Sequence, residues 1–312
     1  MNKMLKEVKD IDLNDKRSVD DIIASMGEAG GFSGRYLADG LEIMKEMIVQ
    51  DDCVKFLSFP AALVATGIRG VIKELVKRKY FDAVITTCGT LDHDLARSFA
   101  KYYKGDFHLD DQEVERDGYH RLGSILLPKE SYGPVIENKL QQLLKRIYDS
   151  GVRSISSTRL SSMLGEMIND DNSILYWANK HGIPVIVPGI TDGAVGNQIW
   201  FFTEKYKDFT INVLEDETIL SDMTFNAKKS GALIVGGGIS KHHTLWWNQF
   251  RGGLDYAVYI TTAEEYDGSL SGAITKEAVS WGKISPNAKQ VTIHADGSLV
   301  LPFLVAALIE SK

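Results

Sequence analysis

Short apolar segments recur along the chain, and most of them are rich in β-branched residues. Successive positions in these segments are apolar rather than alternately apolar and polar. This pattern is typical of strands buried on both faces, as in a parallel sheet covered by helices. The pattern predicts strands at residues 54–59, 82–87, 183–190, 209–216, 231–238, 256–262 and 290–296.

Amphipathic segments separate several of these strands. In "GIRGVIKELVKRKY" (67–80), apolar residues at helical spacing share one face, and residues 91–103 and 173–182 behave similarly. The alternation of strand and helix predicts an open, doubly wound, mostly parallel α/β sheet. The polar, helix-like residues 1–50 are expected to form an N-terminal helical extension that packs on the body or on another subunit, and residues 51–312 a single domain.

Composition narrows the classes of partner. The chain has 312 residues and a net charge of -7, with 44% hydrophobic and 25% charged residues, as in an ordinary globular protein. An acidic chain lacks the basic face that general nucleic-acid binding requires. The charged first residues do not form a signal peptide, and the apolar runs are too short to cross a membrane. Two cysteines, Cys53 and Cys88, cannot form a disulfide framework. We therefore expect a soluble, cytoplasmic protein without nucleic-acid or membrane partners.

The segments that follow the predicted strands are rich in small residues. They are 58–67, 86–94, 188–197, 236–243 and 261–269. In open α/β sheets, ligands bind beyond the carboxyl ends of the strands, and small residues let the backbone approach them. These segments are therefore the predicted ligand site.

Several residues of these segments allow two interpretations. The triple glycine at 236–238 is either a phosphate-binding turn or a tight turn without a ligand. The pair His242 and His243 favours a functional role, but no further ligand spacing supports a metal, so none is predicted. Asp192 either forms an Asx turn or accepts hydrogen bonds from a ribose or an amine. Cys88 is more readily a small buried filler than a nucleophile.

The segment "EAVSWGKIS" (277–285) also allows two interpretations. The ordinary one is a core tryptophan, Trp281, beside a surface lysine, Lys283. In the alternative, Trp281 is an aromatic wall that holds an amine by cation–π contact. The same wall would desolvate Lys283 and favour a neutral, nucleophilic amine that can form a Schiff base. Glu277 would then hold the cationic end of an amine substrate or pair with a lysine.

Taken together, "AEEYDGSLSGA", "EAVSWGKI", "VGGG" with "KHH", "TDGAVG" and "ATGIR" resemble the deoxyhypusine synthase family. The resemblance is collinear from about residue 15 to the C-terminus. It implies a Rossmann-like, NAD-binding fold and a homotetramer with active sites between paired subunits. It also implies that NAD oxidises spermidine and that the butylamine portion forms an imine on Lys283. This group then passes to one lysine of the hypusine-containing translation factor and is reduced by the same NADH.

The resemblance also assigns residues. His242 matches a histidine that assists at the reacting amine, and Lys283 matches the catalytic lysine. The residues expected to contact NAD are Ala61, Ala62, Leu63, Val64, Ala65, Thr87, Cys88, Gly89, Asp192, Gly237, Thr262, Ala263, Asp296 and Gly297. The residues expected at the amine site are Asp92, His93, Asn197, His242, Gly268, Ser269, Leu270, Glu277, Trp281 and Lys283.

Three positions depart from the family pattern, because His93, Asn197 and Leu270 stand where the family usually has a carboxylate. Each charge-assisted hydrogen bond contributes roughly 1.5–3 kcal/mol, so capture of a triamine should weaken. Either other acids substitute, such as Glu264, Glu265 or Asp267, or the donor amine differs. Two alternatives therefore stay open. One is a homospermidine synthase-like or agmatine-using transferase, and the other is a non-catalytic NAD-binding paralogue.

Overall fold

The computed structural model describes residues 6–15 and 18–311. In these ranges the strands are β1 Cys53–Ser58, β2 Ala83–Ile85, β3 Tyr103–Lys104, β4 Tyr119–Leu122, β5 Ile125–Pro128, β6 Ser154–Ile155, β7 Val185–Ile186, β8 Thr210–Ile211, β9 Lys229–Val235, β10 Leu254–Thr261 and β11 Ile284–His294. The α-helices are α1 Val19–Ala29, α2 Phe32–Ile48, α3 Ala62–Ala65, α4 Ile68–Lys77, α5 Cys88–Phe99, α6 Asp111–Arg116, α7 Gly133–Asp149, α8 Ser157–Ile168, α9 Ile174–His181, α10 Ala194–Lys205, α11 Leu214–Asn226, α12 Gly238–Gln249, α13 Thr275–Ser280 and α14 Gly297–Glu310.

Six parallel strands form the central sheet, in the order β11-β10-β9-β1-β2-β7. Phe56 of β1 is in register with Ala83 of β2 on one side and with Ala232 of β9 on the other. Helices connect the strands and cover the sheet. The prediction of a doubly wound, mostly parallel α/β sheet is confirmed.

Both faces of the sheet are buried, which explains the apolar runs in the sequence. Leu57 and Val84 belong to the larger core cluster, on the side of α2 and α14. Their neighbours Phe56, Ala83 and Ile85 point to the opposite face and pack in a second cluster with Leu245 of α12. Since alternate residues of one strand enter two separate cores, both sides of the strand are mostly apolar.

The predicted N-terminal helices are α1 and α2, and α2 packs against the sheet. A Cβ atom at Gly40 would lie 2.9 Å from Cδ1 of Ile293 in β11, so the backbone of α2 approaches the sheet closely there. Met44 and Met47 of the same helix are fully buried in the larger core cluster. None of the helices in the described ranges is both long and apolar enough to cross a membrane.

The predicted strand at 209–216 is wrong over most of its length. Only Thr210–Ile211 are extended, and they pair with β6 in a separate two-stranded sheet. The segment then enters α11, because the buried carboxylate of Asp216 accepts hydrogen bonds from the backbone N–H groups of Ser157 and Thr158, both at 3.0 Å. Asp216 thereby caps the first turn of α8, a tertiary contact that local hydrophobicity does not reveal.

A small antiparallel sheet, in the order β3-β5-β4, was not predicted. Its strands contain only two to four residues each, and several of their side chains are exposed. Such short strands carry little periodicity, so the sequence pattern gave no signal for them.

A buried ion pair fixes α4, α5 and α9 to one another. Arg69 of α4 donates from Nε to Oδ1 of Asp94 at 2.6 Å, and Asp94 is fully buried. The same carboxylate accepts hydrogen bonds from Ser173 Oγ and from the backbone N–H of Leu175, at the start of α9. One carboxylate therefore joins Arg69 to the first turn of α9, while Nη2 of Arg69 also donates to Ser98 Oγ at 2.7 Å.

We expect Asp94→Ala to lower the free energy of unfolding by about 3–5 kcal/mol, because it removes the buried carboxylate that pairs with the Arg69 guanidinium at 2.6 Å and leaves the more distant Asp170, at 3.8 Å, as its charged partner. Chemical denaturation followed by circular dichroism measures this loss. Asp149→Ala is the control, because Asp149 pairs with Lys145 on the surface and its loss should have a much smaller effect. Equal losses for both variants would contradict the role assigned to Asp94.

Candidate active site

The small-residue segments predicted from the sequence converge along the carboxyl edge of the sheet. The backbone N–H of Ala61, after β1, donates to Oγ1 of Thr87, after β2, at 3.2 Å. A Cβ atom at Gly297, after β11, would lie 2.7 Å from Val235 at the end of β9. Segments that are far apart in the sequence therefore form one continuous edge. The residues expected to contact NAD after β1, β2, β9, β10 and β11 lie along it, and the NAD contacts stay a prediction.

A cavity of about 340 Å³ opens beside this edge, between α12, α13 and the sheet. Apolar side chains form most of its wall, together with a few polar groups. Its lining residues are Ile234, Lys241, His242, Leu245, Trp246, Tyr259, Leu270, Ala273, Ile274, Thr275, Glu277, Ala278, Trp281 and Lys283. Five of the residues predicted for the amine site are among them, namely His242, Leu270, Glu277, Trp281 and Lys283.

Lys283 lies at the mouth of the cavity near two indole rings. Its Nζ atom is 5.3 Å from the ring centroid of Trp281 and 5.7 Å from that of Trp246, both within cation–π range. Trp281 is 67% exposed, so the ordinary interpretation of it as a core tryptophan is wrong. The half-buried Lys283 is also not a fully solvated surface lysine. The arrangement presents a primary amine to the cavity between aromatic faces.

His242 and Glu277 complete the mouth. The imidazole ring of His242 stacks on Trp246, with 5.7 Å between ring centroids. Burial, and then the positive charge of Lys283, lower the pKa of His242, so its neutral form is favoured. Glu277 is exposed at the mouth and supplies a carboxylate. The site thus combines a primary amine, a neutral imidazole and one carboxylate.

Lys241 lies deeper in the cavity, and sequence reasoning missed it. Its ammonium group donates to the backbone carbonyls of Leu270 at 2.6 Å and Ala273 at 2.5 Å, and it lies 3.7 Å from the ring centroid of Tyr259. Burial lowers the pKa of Lys241 to about 7, an effect that the carboxylate of Glu277 partly offsets. The available signal was its position directly before His242 in "SKHH".

Trp246 was also missed, although the sequence offered a signal. It stands four residues after His242 on α12, so helical spacing places both on the same face.

Asp92 and His93 lie on α5 outside the cavity lining. Both oxygens of the buried Asp92 carboxylate are engaged: Oδ1 accepts from Val195 N at 2.7 Å, and Oδ2 accepts from Ala194 N at 3.0 Å and Tyr132 Oη at 2.8 Å. Asp92 therefore caps α10, and its contact with an amine stays a prediction. His93 is 8% exposed and its Nδ1 lies 3.1 Å from Tyr102 Oη.

The remaining candidates are more exposed or have structural partners. Asn197 is exposed on α10, and Gly268 and Ser269 are exposed in the segment before Leu270. Cys88 is fully buried, and burial raises its thiol pKa to about 12, which supports the interpretation as a filler rather than a nucleophile. His243 lies 3.1 Å from the carboxylate of Glu217. Within residues 6–15 and 18–311, no group of three or more His, Cys, Asp or Glu side chains is placed to hold a metal ion.

The fold and site define an α/β protein with a ligand site at the carboxyl ends of its parallel strands. A cavity beside this site contains the amine of Lys283. A family model described as deoxyhypusine synthase matches residues 21–308. A protein of Picrophilus torridus named "Probable deoxyhypusine synthase" is 51% identical over 310 residues, covering 99% of each chain. One of the same name from Thermoplasma volcanium is 50% identical over 304 residues, covering 97% of each chain. The chain belongs to the deoxyhypusine synthase family, and it is therefore an enzyme, a transferase.

Structural similarity agrees with this assignment at the level of the fold. The crystal structure of a "putative deoxyhypusine synthase" from Entamoeba histolytica covers 97% of each chain with a TM-score of 0.66 and 18% sequence identity.

We expect the His93 imidazole to stay neutral across the neutral pH range, because burial lowers its pKa to about 4. The unfolded chain would bind this proton near pH 6.5, so the free energy of unfolding should fall as the pH is lowered from about 6.5 towards 4. The loss attributable to this group is on the order of 3 kcal/mol. Histidine NMR, with the His93→Gln variant to assign the signal, measures the titration. Protonation of His93 near pH 6.5 in the folded protein would contradict the prediction.

Proposed function

We propose that this enzyme transfers the 4-aminobutyl group of spermidine, through an imine on Lys283, to a lysine of the hypusine-containing translation factor, with NAD as cofactor. The observation that carries the proposal is the position of Lys283. Its amine faces a largely apolar cavity between two indole rings, beside a neutral imidazole and a carboxylate. Partial desolvation of this kind is one way in which proteins activate a lysine for Schiff-base formation.

The residues at the mouth have complementary roles in this proposal. Glu277 binds the ammonium end of the donor, and the faces of Trp281 and Trp246 hold its cationic groups by cation–π attraction. His242, favoured as the neutral imidazole, accepts a proton from the reacting amine and returns one at the later step. The amine of Lys283 displaces 1,3-diaminopropane from the oxidised donor to form the imine. The acceptor lysine then attacks the imine carbon and Lys283 leaves as the free amine, and the hydride that NAD would return reduces the new imine to a secondary amine.

The carboxyl edge of the sheet fits a dinucleotide. The N-termini of α5, α12 and α14 begin there, and helix N-termini favour phosphate groups. Asp192 and Asp296 are exposed carboxylates suited to ribose hydroxyls. The backbone at Gly238 is left-handed, with φ 74°, and a Cβ atom there would meet open space. When bound, NAD would accept and return the hydride, and these residues would hold and orient it.

We further propose a homotetramer in which paired subunits complete each site. Asp92 and His93 are buried outside the cavity of their own chain, whereas Asn197 is exposed on α10 and would reach a donor in the cavity of a neighbouring subunit. Exposed apolar side chains support such an interface. Trp200 and Phe201 follow Asn197 by three and four residues on α10 and are 54% and 51% exposed. We also propose a cytoplasmic location, with residues 51–312 as the catalytic domain and residues 1–50 as its helical extension.

A donor other than spermidine is the second candidate, favoured by the chemistry of the cavity. Glu277 is the one carboxylate among the lining residues, while Leu270 stands where the family pattern has an acid. Agmatine, with one ammonium group and one guanidinium group, would place fewer ammonium groups near this wall than spermidine. Transfer to a free diamine, as in homospermidine formation, would instead change the acceptor. Lys283 would form the imine in either case.

Incubation with NAD and spermidine, followed by borohydride and mass spectrometry, should give a 4-aminobutyl adduct on Lys283. The Lys283→Arg variant keeps the charge and should give none. Parallel samples with agmatine identify the donor, and samples with the translation factor or putrescine identify the acceptor. If no amine gave an adduct while NAD still bound, the transferase proposal would fail for these substrates.

Leu270→Asp should strengthen spermidine capture, because it places a carboxylate on the cavity wall. A charge-assisted hydrogen bond corresponds to about a tenfold or greater fall in the KM for spermidine. Leu270→Asn, similar in shape but uncharged, is the control. An unchanged or increased KM in Leu270→Asp would show that this position does not select the donor.

A further inference from the structure

The backbone segment 268–274 forms one wall of the cavity, and few contacts hold it there. Its own hydrogen bonds are local: the N–H groups of Gly272 and Ala273 both donate to the carbonyl of Ser269, at 3.1 and 3.2 Å. Residues 264–267, which precede the wall, are exposed, and so are its first two residues, Gly268 and Ser269. Local bonds of this kind shape a turn, but they do not attach it to the body of the protein. The attachment must come from side chains of other elements.

Lys241 makes this attachment at two points. Its ammonium group donates to the carbonyl of Leu270 and to that of Ala273, so one side chain of α12 spans the wall. Between these points, the hydroxyl groups of Tyr259 and Thr261 on β10 both donate to the carbonyl of Ser271. We propose that Lys241 is a positioning residue that fixes the 268–274 wall and thereby the donor site. This inference rests on the proposed function for its consequence in catalysis.

The geometry explains why a lysine is required at this position. A long, flexible side chain with three N–H donors can serve two carbonyls and still direct its remaining N–H towards the face of Tyr259, 3.7 Å from the ring centroid. An apolar side chain of equal length would fill the space but leave both carbonyls without their donor. The wall also lies close to the N-terminus of α12, because a Cβ atom at Gly237 would lie only 2.0 Å from Ser271 Oγ.

The position of Lys241 separates its role from that of Lys283. Lys241 is 3% exposed and its hydrogen atoms are engaged, whereas Lys283 is half-buried at the mouth. Loss of Lys241 should therefore release the wall that carries Leu270 without removing the reacting amine. Donor binding should suffer more than the chemical step.

Hydrogen exchange in the free protein tests the positioning role without any substrate. In Lys241→Met, we expect the amides of Gly272 and Ala273 to exchange at least tenfold faster than in the wild type at the same pH. Peptides from β1 should be unchanged. Lys276→Met is the matched control, since Lys276 is an exposed lysine on the neighbouring helix α13. Tyr259→Phe, which removes one hydroxyl donor, should give a smaller increase in the same peptide.

A kinetic experiment tests the same role during catalysis, with the donor amine that forms the adduct on Lys283. Lys241→Met should raise the KM for that donor about tenfold or more and change kcat by less than about threefold. Exchange at Gly272 and Ala273 within twofold of the wild type would overturn the positioning role, and so would a fall in kcat with KM unchanged. If β1 exchange rose as well in Lys241→Met, the rise at Gly272 and Ala273 would still have to exceed it about tenfold, and an equal rise in both segments would overturn the inference.

The two proposals fail in different ways. If no amine formed an adduct on Lys283, the proposed function would fail, but the exchange experiment would still report whether Lys241 holds the wall. If the adduct formed normally in Lys241→Met with an unchanged donor KM, the positioning role would fail while the proposed function stood.

Discussion

A parallel sheet buried on both faces imposes the arrangement on which the rest of this structure depends. Because its six strands run in one direction, all their carboxyl ends lie along one edge, and every segment that follows a strand begins there. The backbone at this edge must also turn at once into a covering helix, as at Thr87 before α5 and Gly237 before α12. Small residues permit these turns. The same requirement that builds the fold therefore assembles helix N-termini and small residues into a ligand site.

The need to cover the second face of the sheet explains the cavity. Helix α12 lies on that face, and its helical periodicity places some side chains towards the sheet and others at the mouth of the cavity. Lys241 and Leu245, four residues apart, are buried towards the sheet, whereas His242 and Trp246, also four apart, border the mouth. The wall formed by residues 268–274 closes the space that α12 leaves over β10. A single helix thus supplies the anchor of the wall, the imidazole and one of the two indole rings near Lys283.

The sequence pattern was sufficient for the central strands, because burial on both faces leaves long apolar runs in β1, β9 and β10. It failed where a tertiary contact decided the outcome, as at Asp216, which caps α8 and lies within a predicted strand. The residues of the candidate site also differed in whether the local sequence or a tertiary contact revealed them. Lys283 and Trp281 stood out through their neighbours and the family resemblance, but Lys241 carries no local sign of burial. Its partners are backbone carbonyls about thirty residues away. Because every residue has a backbone carbonyl, the residue types do not show which ones bind Lys241.

Two amines border one cavity, and under the proposed function their surroundings decide which one reacts. Burial lowers the pKa of Lys241 to about 7, so a fraction of its amine is neutral near this pH and its protonation state alone would not prevent nucleophilic attack. However, its N–H groups hold the carbonyls of Leu270 and Ala273, and attack on a substrate would break both hydrogen bonds. Among the described contacts, the amine of Lys283 donates to no backbone carbonyl. It lies at the mouth of the cavity, where a lysine of another protein can approach. Access for a macromolecular acceptor, rather than desolvation alone, therefore selects Lys283.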